Sequence, residues 1–363
     1  MLHLTSSAFA LGVTAGLQFG PTLLLGLVGG VIADRVDKRK LVVVTQSAMA
    51  CLALILGSLA LSGFVQVWMI WCLALALGIV TALDTPTRQS FVAEMVGPDQ
   101  LGNAVSLNSA VFNGARVVGP AFAGILIALV GTPICFLVNA ASYLAVVGCL
   151  LAMRPAELSR GEPLHRARGQ LVEALHYAWS SPSLRVPLLL MSVVGTLGFN
   201  FTVILPLMAK YAFRGGPGTF GAMFSAMGLG ALAGALASAS RNRPTQRLLV
   251  GSALAFGILL IGAALAPNLA VELALLPAVG FAAIIFQASD NSLLQLNSDR
   301  RFRGRVMAMY VVLFMGSSAI GGPTMGWIAE HFGARAAPAL AGAATVLAAA
   351  VTSLGLLRRR TRR

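Results

Sequence analysis

The sequence predicts an all-α, polytopic membrane protein made of two helical halves that run in the same sense. Three observations carry that prediction: a composition that water cannot solvate, repeated apolar stretches of bilayer-spanning length, and basic residues sorted onto alternate loops. Apolar residues make up 57% of the 363 and charged residues 10%, with a mean hydropathy of +0.84, whereas about a quarter of residues are charged in soluble domains. The apolar stretches fall at 6–33, 41–62, 65–85, 103–130, 132–153, 186–210, 217–239, 247–266, 269–289, 304–329 and 335–357. Each is close to the roughly 20 residues that a helix needs to cross a bilayer, so eleven spans are expected.

The first span carries Gly12, Gly16 and Gly20, and the same small-x-x-x-small spacing returns at Gly230 with Gly234 and at Gly322 with Gly326. Absent side chains let helix backbones approach closely where burial against lipid gives no preference. The loop after the first span reads Gly30-Val31-Ile32-Ala33-Asp34-Arg35-Val36-Asp37-Lys38-Arg39-Lys40. The segment after the third begins Asp84-Thr85-Pro86-Thr87-Arg88, where Pro86 ends or bends the helix because it cannot extend the backbone ladder. Within 103–130, Arg116 stands three residues before Gly119-Pro120, with Asn113 one turn earlier. A charge inside a span is costly and marks function by default; contact with a substrate or counter-carboxylate and a structural ion pair both fit. Among the other span polar groups, Asn200 and Gln287 are candidates for substrate contact, and Glu272 is expected at the outer surface.

Orientation follows from Lys and Arg, which concentrate in cytoplasmic loops. One set of alternate loops, with the C-terminal tail, holds 22 of the 26 basic residues; the opposite loops hold only Lys210, Arg214 and Arg335. The C-terminus is thus expected in the cytoplasm. The same segregation accounts for the net charge of +14 without a nucleic-acid partner. Cys51, Cys72, Cys135 and Cys149 lie in apolar stretches with no metal-ligand spacing and read as buried free thiols. The four histidines are scattered, and no phosphate-cradling glycine loop with Lys-Ser/Thr is present, so neither a metal, a cofactor nor ATP hydrolysis is called for.

Internal symmetry divides the chain. Gly30–Arg35 is echoed at Gly234–Arg243, displaced by 204 residues; Gly119-Pro120 is echoed by Gly322-Pro323, displaced by 203; Asp99 and Asp299 are displaced by 200. Parallel repeats of this kind occur in membrane transporters. The division expected is an N-terminal half, 1–153, with five spans, a cytoplasmic central loop, 154–185, and a C-terminal half, 186–363, with six. Leu171, Ala174, Leu175 and Ala178 recur at helical spacing and predict a short interfacial helix in that loop. The span 186–210 calls for a partner at about −18 to 6, so the pattern is that of two six-helix repeats with the first helix missing.

The Gly30 loop, with its Ala-Asp-Arg and basic cluster, resembles the signature motif of the major facilitator superfamily; Asp37 stands where that family usually has Gly. The stretches Asp84–Val96 and Leu101–Asn108 resemble its enterobactin-exporter-like, drug-efflux branch, and the Arg116 segment resembles its antiporter motif, with Ala115 and Ala123 for two family glycines. The resemblance implies a proton-coupled exporter of a small amphipathic molecule, working as a monomer in the inner membrane; solute uptake and a non-transporting remnant are the alternatives. It also implies a conformational latch of Gly30, Asp34, Arg35, Arg39, Lys40, Asp84 and Arg88, in which Asp34 meets the helix starting near Gly304 and Arg39 pairs with Asp84. Arg116, Asn113, Gly119, Pro120, Asn200 and Gln287 are the cavity candidates, for substrate or coupling.

Overall fold

A computed structural model describes the backbone except at residues 3, 156–157, 159–169, 241–243, 300–301 and 361–363. Side chains at 27–35, 93, 97–99, 101–102, 105–106, 109–110, 112–114, 116–118, 120–121, 124–125, 128, 170–172, 174, 304, 308 and 355–360 also lie outside the description. Among the described residues the protein is helical, with ten stretches long and apolar enough to cross a membrane. The eleventh expected span, 103–130, falls where most side chains are outside that description.

Helix α1 (Ala8–Arg35) is followed by α2 (Lys38–Ser62) and by a long helical run, α3 (Val67–Ala152). Asp37 begins α2 as its N-cap, its carboxylate accepting from the Lys40 backbone N–H at 3.1 Å, and Gly63 closes that helix in the left-handed conformation, φ 75°. The run α3 contains two of the ten spans, Val67–Val96 and Leu129–Ala152. At Gly131, φ is 81°, and Pro133 follows two residues later. A glycine in the left-handed region followed by proline is the usual way to stop a helix, so the spans expected at 103–130 and 132–153 meet there.

After α4 (Gln170–Ser180) come α5 (Pro182–Val193) and α6 (Phe201–Leu207), joined and followed by π-helical turns at Val194–Gly198 and Met208–Ala212. Together Pro182–Ala212 makes one membrane-length stretch. Then follow α7 (Pro217–Ala239), α8 (Gln246–Ala264), α9 (Leu269–Asn297), α10 (Arg303–Val311), a third π turn at Val312–Gly316, α11 (Ser318–Phe332) and α12 (Ala336–Arg360). Helix α4 occupies the expected interfacial segment: Tyr177 stacks on Phe302 at 4.4 Å, and Glu173 pairs with Arg305 at 3.1 Å.

The largest buried cluster lies among the later helices, around Phe256, Phe286, Met191, Leu207 and Met223. Close backbone approach explains several glycines. Gly230 abuts the Pro277 carbonyl, and Gly234 the Phe281 carbonyl, so both pack α7 on α9. Gly12 faces the Gly322 carbonyl, and at Gly326 a β-carbon would stand 2.6 Å from the Ala8 carbonyl, so α1 and α11 cross with almost nothing between them. A β-carbon on Gly20 would meet no described atom within 4 Å, so among the described residues Gly20 makes no such contact. One other expectation changes. The four cysteines are free, but Cys51, Cys72 and Cys149 are exposed on helix surfaces, which an apolar solvent tolerates. Glu272 stands in the first turn of α9 beside Arg335 and is 1% exposed.

Candidate functional site

A cavity of about 220 Å³ opens at the seam between α1 and the later helices. Its wall is aromatic: Phe19 comes from α1, Phe199 and Phe201 from either side of the break between the first π turn and α6, and Phe314 from the third π turn. Phe199 organises the wall, with ring centroids 5.5 Å from both Phe256 and Phe314 and 6.2 Å from Phe286. The two π turns touch, since a β-carbon on Gly195 would stand 2.5 Å from the Leu313 carbonyl. π turns widen a helix locally and are frequent at functional sites; here they free backbone and bring rings to the seam. Thr202, Gln287 and Ser318 are the polar lining groups. An apolar, ring-walled space with a few polar groups suits an amphipathic ligand.

Of the expected cavity residues, Gln287 lines this space, on the stripe Gly280, Ala283, Ile284 and Gln287 of α9. Asn200 stands behind the wall. It is 2% exposed, and its amide donates to the Thr196 carbonyl at 2.6 Å, within the π turn that precedes it. Gly119 is exposed on α3, and Arg116, Asn113 and Pro120 lie outside the described side chains.

A second cavity, of about 650 Å³, lies between α1, α2 and both spans of α3, with Thr14, Gln18, Asn139 and Tyr143 among mostly apolar neighbours.

The signature loop is tied down differently from the expected latch. Arg39 donates to the Leu150 and Leu151 carbonyls at 2.8 and 3.0 Å, the last turn of α3, where a cation meets both unpaired carbonyls and the negative end of the helix. Lys38 is ion-paired with Glu94, both largely buried. Asp84 accepts from Thr45 Oγ1 at 2.7 Å and Gln46 Nε2 at 2.9 Å and lies 3.6 Å from Arg88 Nε. The expected Arg39–Asp84 pair is therefore not formed. Asp84 is level with Thr45 and Gln46, about 10 Å further along α2 than Arg39 at 1.5 Å per residue, and among the described residues the acid that pairs with the loop is Glu94. Lys40 is exposed; Gly30, Asp34 and Arg35 lie outside the described side chains.

At the opposite end a contact appears that spacing did not announce. Glu330, near the end of α11, accepts from Ser7 Oγ at 2.6 Å and from the Phe9 backbone N–H at 2.7 Å. A carboxylate there meets unpaired N–H groups and the positive end of the α1 dipole. Tyr211 adds a hydrogen bond to the Ser6 carbonyl at 2.6 Å, and Lys210 donates to the Leu2 carbonyl. From this end the α1–α11 seam runs through Gly12–Gly322 and Gly16–Pro323 to Leu23–Gly316.

The sequence matches the transmembrane secretion effector family over residues 3–361. It is 26% identical to the staphyloferrin A transporter of Staphylococcus aureus, over 90% of this chain and 82% of that protein. It is 26% identical to the multidrug efflux pump Tap of Mycolicibacterium fortuitum, over 90% and 81%, and 26% identical to the enterobactin exporter EntS of Citrobacter koseri, over 89% and 77%. The fold is similar to that of a bacterial homolog of the human lysosomal transporter Spinster in an inward-facing, occupied conformation: TM-score 0.70, 14% identity, 94% of this chain and 88% of that one. It is also similar to the nucleoside transporter NupG: TM-score 0.71, 12% identity, 96% and 90%.

Proposed function

The chain belongs to the transmembrane secretion effector family of the major facilitator superfamily, and from that premise we propose that it exports small amphipathic molecules by proton-coupled alternating access. It is a multi-pass membrane transporter and not an enzyme. The observation that carries the export proposal is the aromatic cavity at the seam. It draws one wall from α1 and the others from the later helices, so relative movement of the two groups changes its access. Relatives named as a multidrug efflux pump and an enterobactin exporter support the direction and the kind of cargo.

In this reading residues 1–153 and 186–363 rock as two bodies about the seam, joined by 154–185, in a monomer whose C-terminus is cytoplasmic. Glu330 on the α1 N-terminus closes the outer side, while Asp34 against the helix near Gly304 closes the inner side in the alternate state. Arg39 and Lys38 keep α2 and α3 one rigid piece through the cycle.

The test is ethidium accumulation in a host stripped of its own efflux pumps. Expression should lower accumulation, collapse of the proton gradient should restore it, and Phe314→Ala should weaken the effect severalfold. Inside-out vesicles should take ethidium up when energised. Accumulation equal to that of the empty vector, or uptake in whole cells instead, would sink the proposal.

A further inference from the structure

Among its described side chains, helix α4 grips the rest of the protein with Glu173, Tyr177 and Ala178. Glu173 and Tyr177, one turn apart, both reach the start of α10. Glu173 pairs with Arg305 at 3.1 Å. Tyr177 stacks on Phe302 with ring planes 14° apart, and its hydroxyl accepts from the Asp299 backbone N–H at 3.1 Å. The Arg305 guanidinium also lies over the Phe302 ring, 5.4 Å from its centroid, so the four side chains form one closed cluster. Ala178 is fully buried.

Leu175 and Trp179 are also one turn apart, two residues out of step with the gripping pair, which places them about 200° round the helix from it. They are 51% and 53% exposed. Beyond them, His176 and Ser180 are exposed and polar. The helix therefore has three sides: one bound to the protein, one apolar and open, one polar and open. A single exposed leucine needs no account, but an aligned leucine and tryptophan between a bound side and a polar side is the pattern of a helix lying in a membrane interface.

The place of α4 in the chain fits that surface. It ends at Ser180, and the membrane-length stretch Pro182–Ala212 begins after one intervening residue. A single residue spans less than about 4 Å, so the end of α4 stands at the boundary where the span begins, the depth at which tryptophan collects in membrane proteins. Charge is complementary as well. Residues 154–185 carry five arginines against three glutamates, and 299–305, the segment that α4 clamps, carries four arginines against one aspartate. Anionic headgroups attract basic segments that adjoin a span.

We propose that the open apolar side of α4 is a docking surface for the anionic lipid leaflet, and that α4 anchors the start of α10 to it. Leu175 and Trp179 enter among the headgroups, and the neighbouring arginines meet the lipid phosphates. Glu173 and Tyr177 carry that anchorage to Arg305, Phe302 and Asp299. The lipid is then a partner of the protein separate from any cargo. The inference rests on α4 and its neighbours and not on the export reading.

Tryptophan fluorescence of the full-length protein in single-copy nanodiscs tests it, with the difference between wild type and Trp179→Phe isolating Trp179 from Trp68, Trp71 and Trp327. Phosphatidylcholine brominated on its acyl chains should quench Trp179. Acrylamide, acting from the water, should quench it less when phosphatidylglycerol is mixed into the phosphatidylcholine, by roughly twofold to fivefold, the scale of one arginine at an anionic surface. Leu175→Ser should remove most of that protection. Tyr177→Leu loosens α4 from α10 and should leave the protection in place, because the lipid and not the protein covers the tryptophan. Free acrylamide quenching in both lipids, equal quenching in the two, or protection lost in Tyr177→Leu would overturn the proposal. Protection found in crowded vesicles and absent from single-copy nanodiscs would also overturn it, and would assign the face to a second copy of the chain.

Discussion

At the scale of single residues, Asp84 shows how the signature region is held. Its contacts with Thr45 and Gln46 are short and buried, whereas its contact with Arg88 is a 3.6 Å pair to a side chain that is 58% exposed. Asp84→Ala leaves the Gln46 amide, 5% exposed, without its acceptor and should destabilise the protein by about 1–3 kcal/mol. Arg88→Ala should cost about 0–0.5 kcal/mol, as exposed i,i+4 pairs do. Thermal unfolding in detergent separates the two, and equal losses would mean that the ion pair is what matters. The chemistry of these residues was legible in the sequence, and their partners were not. Arg39 and Asp84 are a plausible pair on paper, but pairing depends on depth along two antiparallel helices, and depth places Glu94, not Asp84, opposite the loop. Asp37 had a readable role, because an aspartate just ahead of a helix is an N-cap signal. Nothing local pointed to Ser7 and Glu330, which are 323 residues apart.

At the scale of helices, hydropathy found nearly every span, because a bilayer-length apolar stretch has few alternatives. What hydropathy cannot show is where a helix changes its winding. The π turns at Val194–Gly198 and Val312–Gly316 carry no compositional mark, and they place Phe199 and Phe314 in the cavity wall. The glycine spacings were informative about close packing and silent about which helix is packed: Gly12 meets α11, Gly230 meets α9, and Gly20 meets none of the described residues. That difference gives a controlled pair of substitutions. Gly12→Val would drive side-chain atoms into the Gly322 backbone, which cannot yield as a flexible side chain can, and should abolish ethidium export. Gly20→Val should leave at least half of it. If both variants export normally, the α1–α11 seam does not close during the cycle.

At the scale of the whole molecule, the α1–α11 seam has a tether at one end, made by Glu330 of α11 with Ser7 and Phe9 at the start of α1. Glu330 ends α11 and caps the start of α1, and the glycine contacts continue inward from it to Leu23 and Gly316. If the halves rock as rigid bodies, this tether must break before the cavity opens on that face, and weakening it should raise the population of the open state. Glu330→Gln keeps the shape of the side chain but removes the charge that the helix dipole and the Phe9 N–H favour. The readout is thiol labelling of Ser318→Cys, a cavity-lining position, by a membrane-impermeant reagent applied to the face bearing Glu330. The background must lack Cys51, Cys72, Cys135 and Cys149, three of which are exposed and would react themselves. Labelling should quicken roughly two- to fivefold in Glu330→Gln, the scale of a single charge–dipole contact at a helix end. Ser7→Ala, which removes one of the two hydrogen bonds to the carboxylate, should give a smaller rise in the same direction. A rate that does not change in either variant would mean that the seam, with its backbone-to-backbone contacts at Gly12 and Gly322, holds that face shut without the tether.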